Sequence, residues 1–197
     1  MPTTQHVPPT KARLLDAAER LMLAKGFVAT TVDEICEAAK LTKGSFFHYF
    51  ETKEQLGKEL LERFCQSKRA RLQTEAADED PLARVYAQVD GAIKMSRECA
   101  ESQSCLLGTF AQELSDTHPE IREICAKAFG QWADGLRKDL DAAKTAHELK
   151  SLDSRGLADH FISIIEGSMI LAKAKQDPAV VERSLKHFKQ YVMSLFM

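Results

Sequence analysis

The chain of 197 residues contains a single tryptophan and three tyrosines, and no apolar run in it is long enough to cross a bilayer. A membrane is therefore not an expected partner. The polar first residues, Met1 to Pro9, hold no signal-peptide core, so the cytoplasm is the expected compartment. The five cysteines, at 36, 65, 99, 105 and 125, show neither CxxC spacing nor an even framework, and reduced thiols are expected. There is no GxSxG, no phosphate-binding glycine loop, no HExxH and no paired carboxylates with an evident role, so the chain does not read as an enzyme. Cys99, Cys105, His118 and Cys125 match no standard zinc spacing; neither a metal nor a cofactor is expected. Internal repeats, low-complexity tracts and sustained alternation with period two are missing as well, which removes repeat architectures and sheets.

What is present is an apolar content of 44%, enough for real cores, and a net charge of −2 that argues against a general nucleic-acid coat. Residues 1–75 carry 12 Lys/Arg against 10 Asp/Glu, and the remainder carries 15 against 19. Any DNA-binding face must be local.

Apolar residues recur at helical spacing throughout. A first helix follows Pro9-Thr10, presents Leu14, Leu15, Ala18, Leu21 and Met22 on one side, and stops at Lys25-Gly26. Thr31-Val32-Asp33-Glu34 reads as a capping box opening a short helix with Val32, Ile35, Cys36 and Ala39 inward. After Leu41, Thr42 caps a third helix running to Phe50, and a further box at Thr52-Lys53-Glu54-Gln55 opens a longer one ending near Leu72. The small, acidic stretch from Thr74 to Asp80 reads as a boundary, and Asp80-Pro81 as an N-cap followed by proline. Further helices are expected over 81–100, 105–115, 119–145, 153–175 and 178–195. The expected fold is all-α, with about nine helices.

Residues 31–50 have the dimensions of a helix-turn-helix, whose second helix enters the major groove with its N-terminal residues nearest the bases. Thr42, Lys43 and Ser45 lie at that start, with groups suited to phosphates and base edges. Gly44 removes a side chain where backbone must approach the duplex. Phe46 and Phe50 are spaced to anchor the helix, leaving His48 and Tyr49 toward the groove. Spacing alone fits a short amphipathic helix in an ordinary bundle equally well.

The wording Thr31-Val32-Asp33-Glu34-Ile35-Cys36-Glu37-Ala38-Ala39, then Leu41-Thr42-Lys43-Gly44-Ser45-Phe46-Phe47-His48-Tyr49-Phe50 and Lys53-Glu54-Gln55-Leu56, closely resembles the TetR family signature. The resemblance is strong over about residues 10–60 and continues as helix count and length. It implies a flexible arm (1–9), a three-helix DNA-binding domain (10–52), and a connecting helix with a sensor and dimerisation domain (53–197). It further implies a homodimeric repressor that reads a palindromic operator in double-stranded DNA and is released by a small-molecule or electrophile inducer. By position, Thr31 and Lys53 look like phosphate contacts. Thr42, Lys43, Gly44 and Ser45 look like the groove-facing start, and His48 and Tyr49 like groove or backbone contacts. Phe47 stands where the family usually has tyrosine; lacking the hydroxyl, it is expected to lose a phosphate contact and serve only in packing.

In the C-terminal pair of helices, Phe161, Ile164, Ile165, Ile170 and Leu171, then Leu185, Phe188, Tyr191, Val192, Leu195 and Phe196, occupy more than one face. Such helices need burial on several faces. A twin subunit would supply it, with Gly167-Ser168 allowing close approach; a deeper monomeric core is the alternative. Candidate lining of a sensor pocket is Met95, Phe110, Phe129, Trp132 and His160, each also readable as plain core, with His160 as a hydrogen-bonded core histidine. Ser102-Gln103-Ser104 is rich in capping residues, so Cys105 is expected in the first turn of a helix, where the helix field favours thiolate. Ser104-Cys105-Leu106-Leu107 resembles the branch of TetR-like repressors that sense electrophiles or oxidants through one cysteine. There a lysine of the eighth helix lies nearby, and Lys173 occupies the matching position. The plain alternative is a small buried cysteine with no chemistry.

Overall fold

The computed structural model describes residues 7–75, 80–98 and 104–197. Among them are nine α-helices and no strand: α1 (Pro9–Lys25), α2 (Val32–Ala39), α3 (Lys43–Tyr49), α4 (Lys53–Glu75), α5 (Pro81–Glu98), α6 (Leu106–Leu114), α7 (Pro119–Ala146), α8 (Ser154–Lys175) and α9 (Ala179–Leu195). The start of the expected arm (residues 1–6), most of the acidic boundary (76–79), Cys99, Ser102 and Gln103 lie outside the described residues.

The helix starts form where side chains can satisfy exposed amides. Thr31 and Glu34 form a reciprocal capping box at α2, and Thr42 accepts from the Ser45 amide at α3. At α4 the Gln55 amide donates to the Thr52 hydroxyl, but the Gln55 side chain accepts from Glu51 N instead of closing the box on Thr52. Asp80 accepts from the Leu82 amide ahead of Pro81.

The contacts group the chain into two units. The first holds the chain up to Cys65 together with Leu106–Ile124. Its core is Leu14, Leu15, Ala18 and Met22 of α1, Ile35 of α2, Phe46 of α3, Phe50, and Leu56, Leu60 and Leu61 of α4. Leu21 is only half-buried, and Ala17 is buried in its place. This unit reaches beyond the 10–52 segment expected from the sequence because α6 packs on the loop between α1 and α2. The Phe110 ring meets Phe27 edge-on at 5.2 Å, and a Cβ on Gly57 of α4 would lie 2.9 Å from the Phe27 ring. The Glu113 carboxylate accepts from the Val28 amide at 2.8 Å, and Lys58 pairs with Glu120.

The second unit holds Gln66–Cys105 and Cys125–Met197. One apolar core unites Val85, Val89 and Ile93 of α5, Leu136 and Leu140 of α7, Leu157, Phe161 and Ile165 of α8, and Leu185, Phe188 and Val192 of α9. Asp139 of α7 is buried and accepts from Arg84 (2.7 Å) and Gln88 (2.8 Å) of α5, so the carboxylate enters the interior with its partners. Arg97 donates twice to Glu182, and Lys189 pairs with Asp90, tying α5 to α9. One expectation for α8 changes: Ser168 is buried in its own unit and donates to the Ile165 carbonyl, so only Gly167 opens outward. The inward stripe of α8 runs through Leu157, Phe161, Ile165, Ser168 and Ala172, which fixes Ser168 on the core side.

Gly26 has φ +91°, and a Cβ there would collide with the Glu113 carboxylate. Gly26→Ala is expected to lower stability by about 1–3 kcal/mol, from left-handed strain and displacement of Glu113. Gly44→Ala, at an open helical position, should not. Urea unfolding of both variants checks this; an unchanged midpoint for Gly26→Ala would contradict it.

Candidate nucleic-acid interface

The geometry begins at α2. Glu34 accepts from both the backbone amide and the hydroxyl of Thr31, each at 2.9 Å, while its own amide donates back to that hydroxyl at 3.3 Å. The Lys25 ammonium bonded to Glu34, then the Thr31 amide, hold its carboxyl down to about 2. Thr31 is exposed at the start of α2 with its hydroxyl already engaged in the cap. At the other end Lys40 takes a left-handed conformation, φ 53°, and its amide returns to the carbonyls of Cys36 and Glu37. Arg13 of α1 reaches across to donate to the carbonyls of Ala39 and Lys40. No local sequence signal marks Arg13 for this role, because its partners lie 26 and 27 residues away.

Beyond that turn, α3 is seven residues long. Phe46 is completely buried, and Ser45 and Tyr49 are half-buried. Lys43, Gly44, Phe47 and His48 are exposed. At about 100° per residue these four positions fall on one continuous arc of the helix, opposite Phe46. The Thr42 and Ser45 hydroxyls share a hydrogen bond of 3.1 Å at its start. Lys43 pairs with Asp33 of α2 at 2.7 Å, and this bond raises the lysine pKa. Both side chains are largely exposed, and such surface pairs contribute little, so the ammonium can exchange its carboxylate for another acceptor. The rings of His48 and Tyr49 meet edge-on at 4.6 Å.

Two sequence expectations for this site change. The Lys53 ammonium, expected on a phosphate, donates to the carbonyls of Phe27 (2.9 Å) and Thr30 (2.8 Å) and sits 4.3 Å from the centre of the Phe27 ring. Burial there lowers its pKa. Lys53 thus holds the loop that presents Thr31. Phe47, expected only to pack, is 56% exposed, meeting the edge of Phe46 at 5.3 Å. Its place on the arc, a turn after Lys43, turns it outward.

The sensor candidates divide. Phe110 is not in the second unit's core: it is fully buried against Phe27 in the first. Trp132 is half-buried with its ring edge-on to Phe161 at 6.2 Å, and Phe129 of α7 and Met95 of α5 are also half-buried. His160 is exposed instead of core, because it falls one position off the inward stripe of α8. It lies edge-on to Phe188 (5.7 Å) and Tyr191 (6.1 Å) and lines a cavity of about 480 Å³ with Leu152, Asp153, Leu157 and Leu195. Cys105 immediately precedes the first residue of α6 instead of lying in its first turn, and it is buried; Lys173 is exposed on α8.

Comparison with known proteins identifies the two parts. Residues 14–60 match the model of bacterial regulatory proteins of the tetR family. Residues 81–188 match the C-terminal domain of tetracyclin repressor-like proteins. The chain belongs to the TetR family. This TetR-family chain is 26% identical over 191 residues to the transcriptional repressor DhaR of Mycobacterium sp., covering 95% of this chain and 91% of that one. It is 24% identical over 192 residues to the repressor NemR of Escherichia coli, covering 96% of each. A crystal structure of a regulatory protein TetR from Rhodobacter sphaeroides superposes with a TM-score of 0.82 at 26% identity, covering 93% of this chain and 98% of that one. The reduced form of E. coli NemR gives 0.79 at 25% identity, covering 93% and 96%. As a TetR-family member the chain is a transcriptional repressor with a helix-turn-helix, not an enzyme. No described helix is long and apolar enough to cross a membrane.

The Glu34 cap has a defined acid limit. Because folding favours the ionised carboxylate, its stabilisation is present above the ordinary value of 4.5 and is lost as pH falls through about 2. Glu34→Gln is expected to be less stable than wild type at neutral pH, with the gap closing across that window. Paired urea midpoints measured down the pH scale check this; a constant gap would contradict it.

Proposed function

We propose that this repressor acts in the cytoplasm as a homodimer. The exposed arc of α3 in each subunit enters the major groove of a palindromic operator, and a small ligand or modification of Cys105 releases the DNA. The observation that carries the reading is the arc itself: Lys43 and His48 stand outward beside side-chain-free Gly44, on a short helix anchored by buried Phe46. Thr31, Thr42 and Ser45 bring hydroxyls to the adjacent helix starts, where phosphate oxygens are favoured. Tyr49, expected toward the groove, is half-buried at the far end of α3 and lies off the exposed arc, its ring edge-on to His48. The family likeness and the repressors among the relatives support the same reading.

The dimer is supported by α8 and α9, which leave Ile170 (52%), Leu171 (48%), Tyr191 (47%) and Met193 (39%) exposed after their own core is filled. Apolar side chains repeated on one pair of helices favour a covered surface. Two reading heads about 34–36 Å apart would match successive major grooves.

Release is supported by the course of α6. The helix starts directly after Cys105 and carries Phe110 and Glu113, which hold Phe27 and Val28 just ahead of the Thr31 cap. A ligand or an adduct on Cys105 that favours a displaced α6 draws on that loop and shifts the population away from the DNA-binding form. Of the candidates in the second unit, Phe129, Trp132 and Lys173 are proposed to meet the inducer; His160, 13 residues before Lys173 on α8 and so about 20 Å away, lines a separate cavity.

Binding to a palindromic duplex should weaken steeply with salt through counterion release. Lys43→Ala should cost about 1–3 kcal/mol of operator affinity, the magnitude of one base contact. Titrations at several salt concentrations measure both; equal affinity in the variant removes Lys43 from the reading surface. N-ethylmaleimide or hypochlorite should release operator from the wild type and not from Cys105→Ser. Undiminished release from the variant would contradict the cysteine route.

A further inference from the structure

We propose that Phe47 is a specificity-determining residue of α3 that reads the C5-methyl groups of thymines in the operator. The proposal rests on the DNA-reading role of α3 and names what one position of it recognises. Phe47 is 56% exposed, although the neighbouring Phe46 is entirely buried. Its edge-on contact with Phe46, at 5.3 Å, gives the exposed ring a fixed support. A Cβ on Gly44, one turn earlier, would meet only the Thr42 hydroxyl, at 3.7 Å. The helix surface beside the ring is therefore open, and a base edge can come close.

The chemistry of the ring narrows its partner. Phenylalanine has neither donor nor acceptor, so a phosphate oxygen gains no hydrogen bond from it. The major-groove edges of the bases are donors and acceptors with one apolar exception, the thymine methyl, which apolar side chains contact. Lys43 and His48 flank the ring on the same arc and carry the polar contacts. An aromatic ring held outward between them has one complementary feature in the groove, and burying it there removes apolar surface of both partners from water.

The test uses the full-length protein and a duplex enriched by the wild type from a randomised pool. Affinities of wild type, Phe47→Ala and Phe47→Leu are measured on that duplex and on copies in which single thymines are replaced by deoxyuridine, which removes only the methyl. In the wild type, one or more positions per half-site should each lose about fourfold, the effect of burying one methyl-sized group. Phe47→Ala should bind the thymine duplex more weakly and lose nothing further at those positions, and Phe47→Leu should keep part of the discrimination. Wild-type indifference to every replacement overturns the proposal, as does a Phe47→Ala variant that retains the full uridine penalty. If duplexes are enriched and uridine is tolerated, only the role of Phe47 falls. If no duplex is enriched at all, the DNA-reading role of α3 falls with it.

Discussion

A helix of seven residues is too short to persist on its own, so the face that α3 exposes depends on the burial of Phe46. That side chain locks the rotation of α3 about its axis. Once Phe46 is inside, Lys43, Gly44, Phe47 and His48 can only be outside. The caps at Thr31 and Thr42 and the clamp from Arg13 then set where α3 starts and how the turn before it is held. The polar contacts determine position, and the buried ring determines which face is shown.

The loop between α1 and α2 is held from two directions. Lys53 fills it from below with two hydrogen bonds and its place over the Phe27 ring, while α6 approaches through Phe110 and Glu113. Gly26 makes the approach possible, since any Cβ there would meet Glu113. Helix α6 is thereby attached to the loop that leads into the Thr31 cap. Phe110 and Glu113 of α6 and Lys53 of α4 therefore hold one loop between them.

In the second unit, the same helices bury apolar side chains on one face and expose them on another. Phe161, Ile165, Phe188 and Val192 close a core beside which the buried Asp139 carboxylate accepts from Arg84 and Gln88. The outer faces of α8 and α9 retain apolar side chains that this core does not use. The second unit thus fills one apolar core and leaves Ile170, Leu171, Tyr191 and Met193 exposed.

The order and limits of the helices were written in the sequence, because caps, glycine stops and helical periodicity act over a few residues. The three closely spaced caps and the family wording also located the helix-turn-helix. Tertiary structure decided which groups are spoken for: Lys53 turned to carbonyls more than 20 positions back in the chain, and Phe110 joined the first unit against Phe27. It likewise decided that Phe47 and His160 face outward and Ser168 inward. Periodicity assigns a residue to a stripe, but only the partners brought in from distant sequence determine whether that stripe, and the charge beside it, is covered.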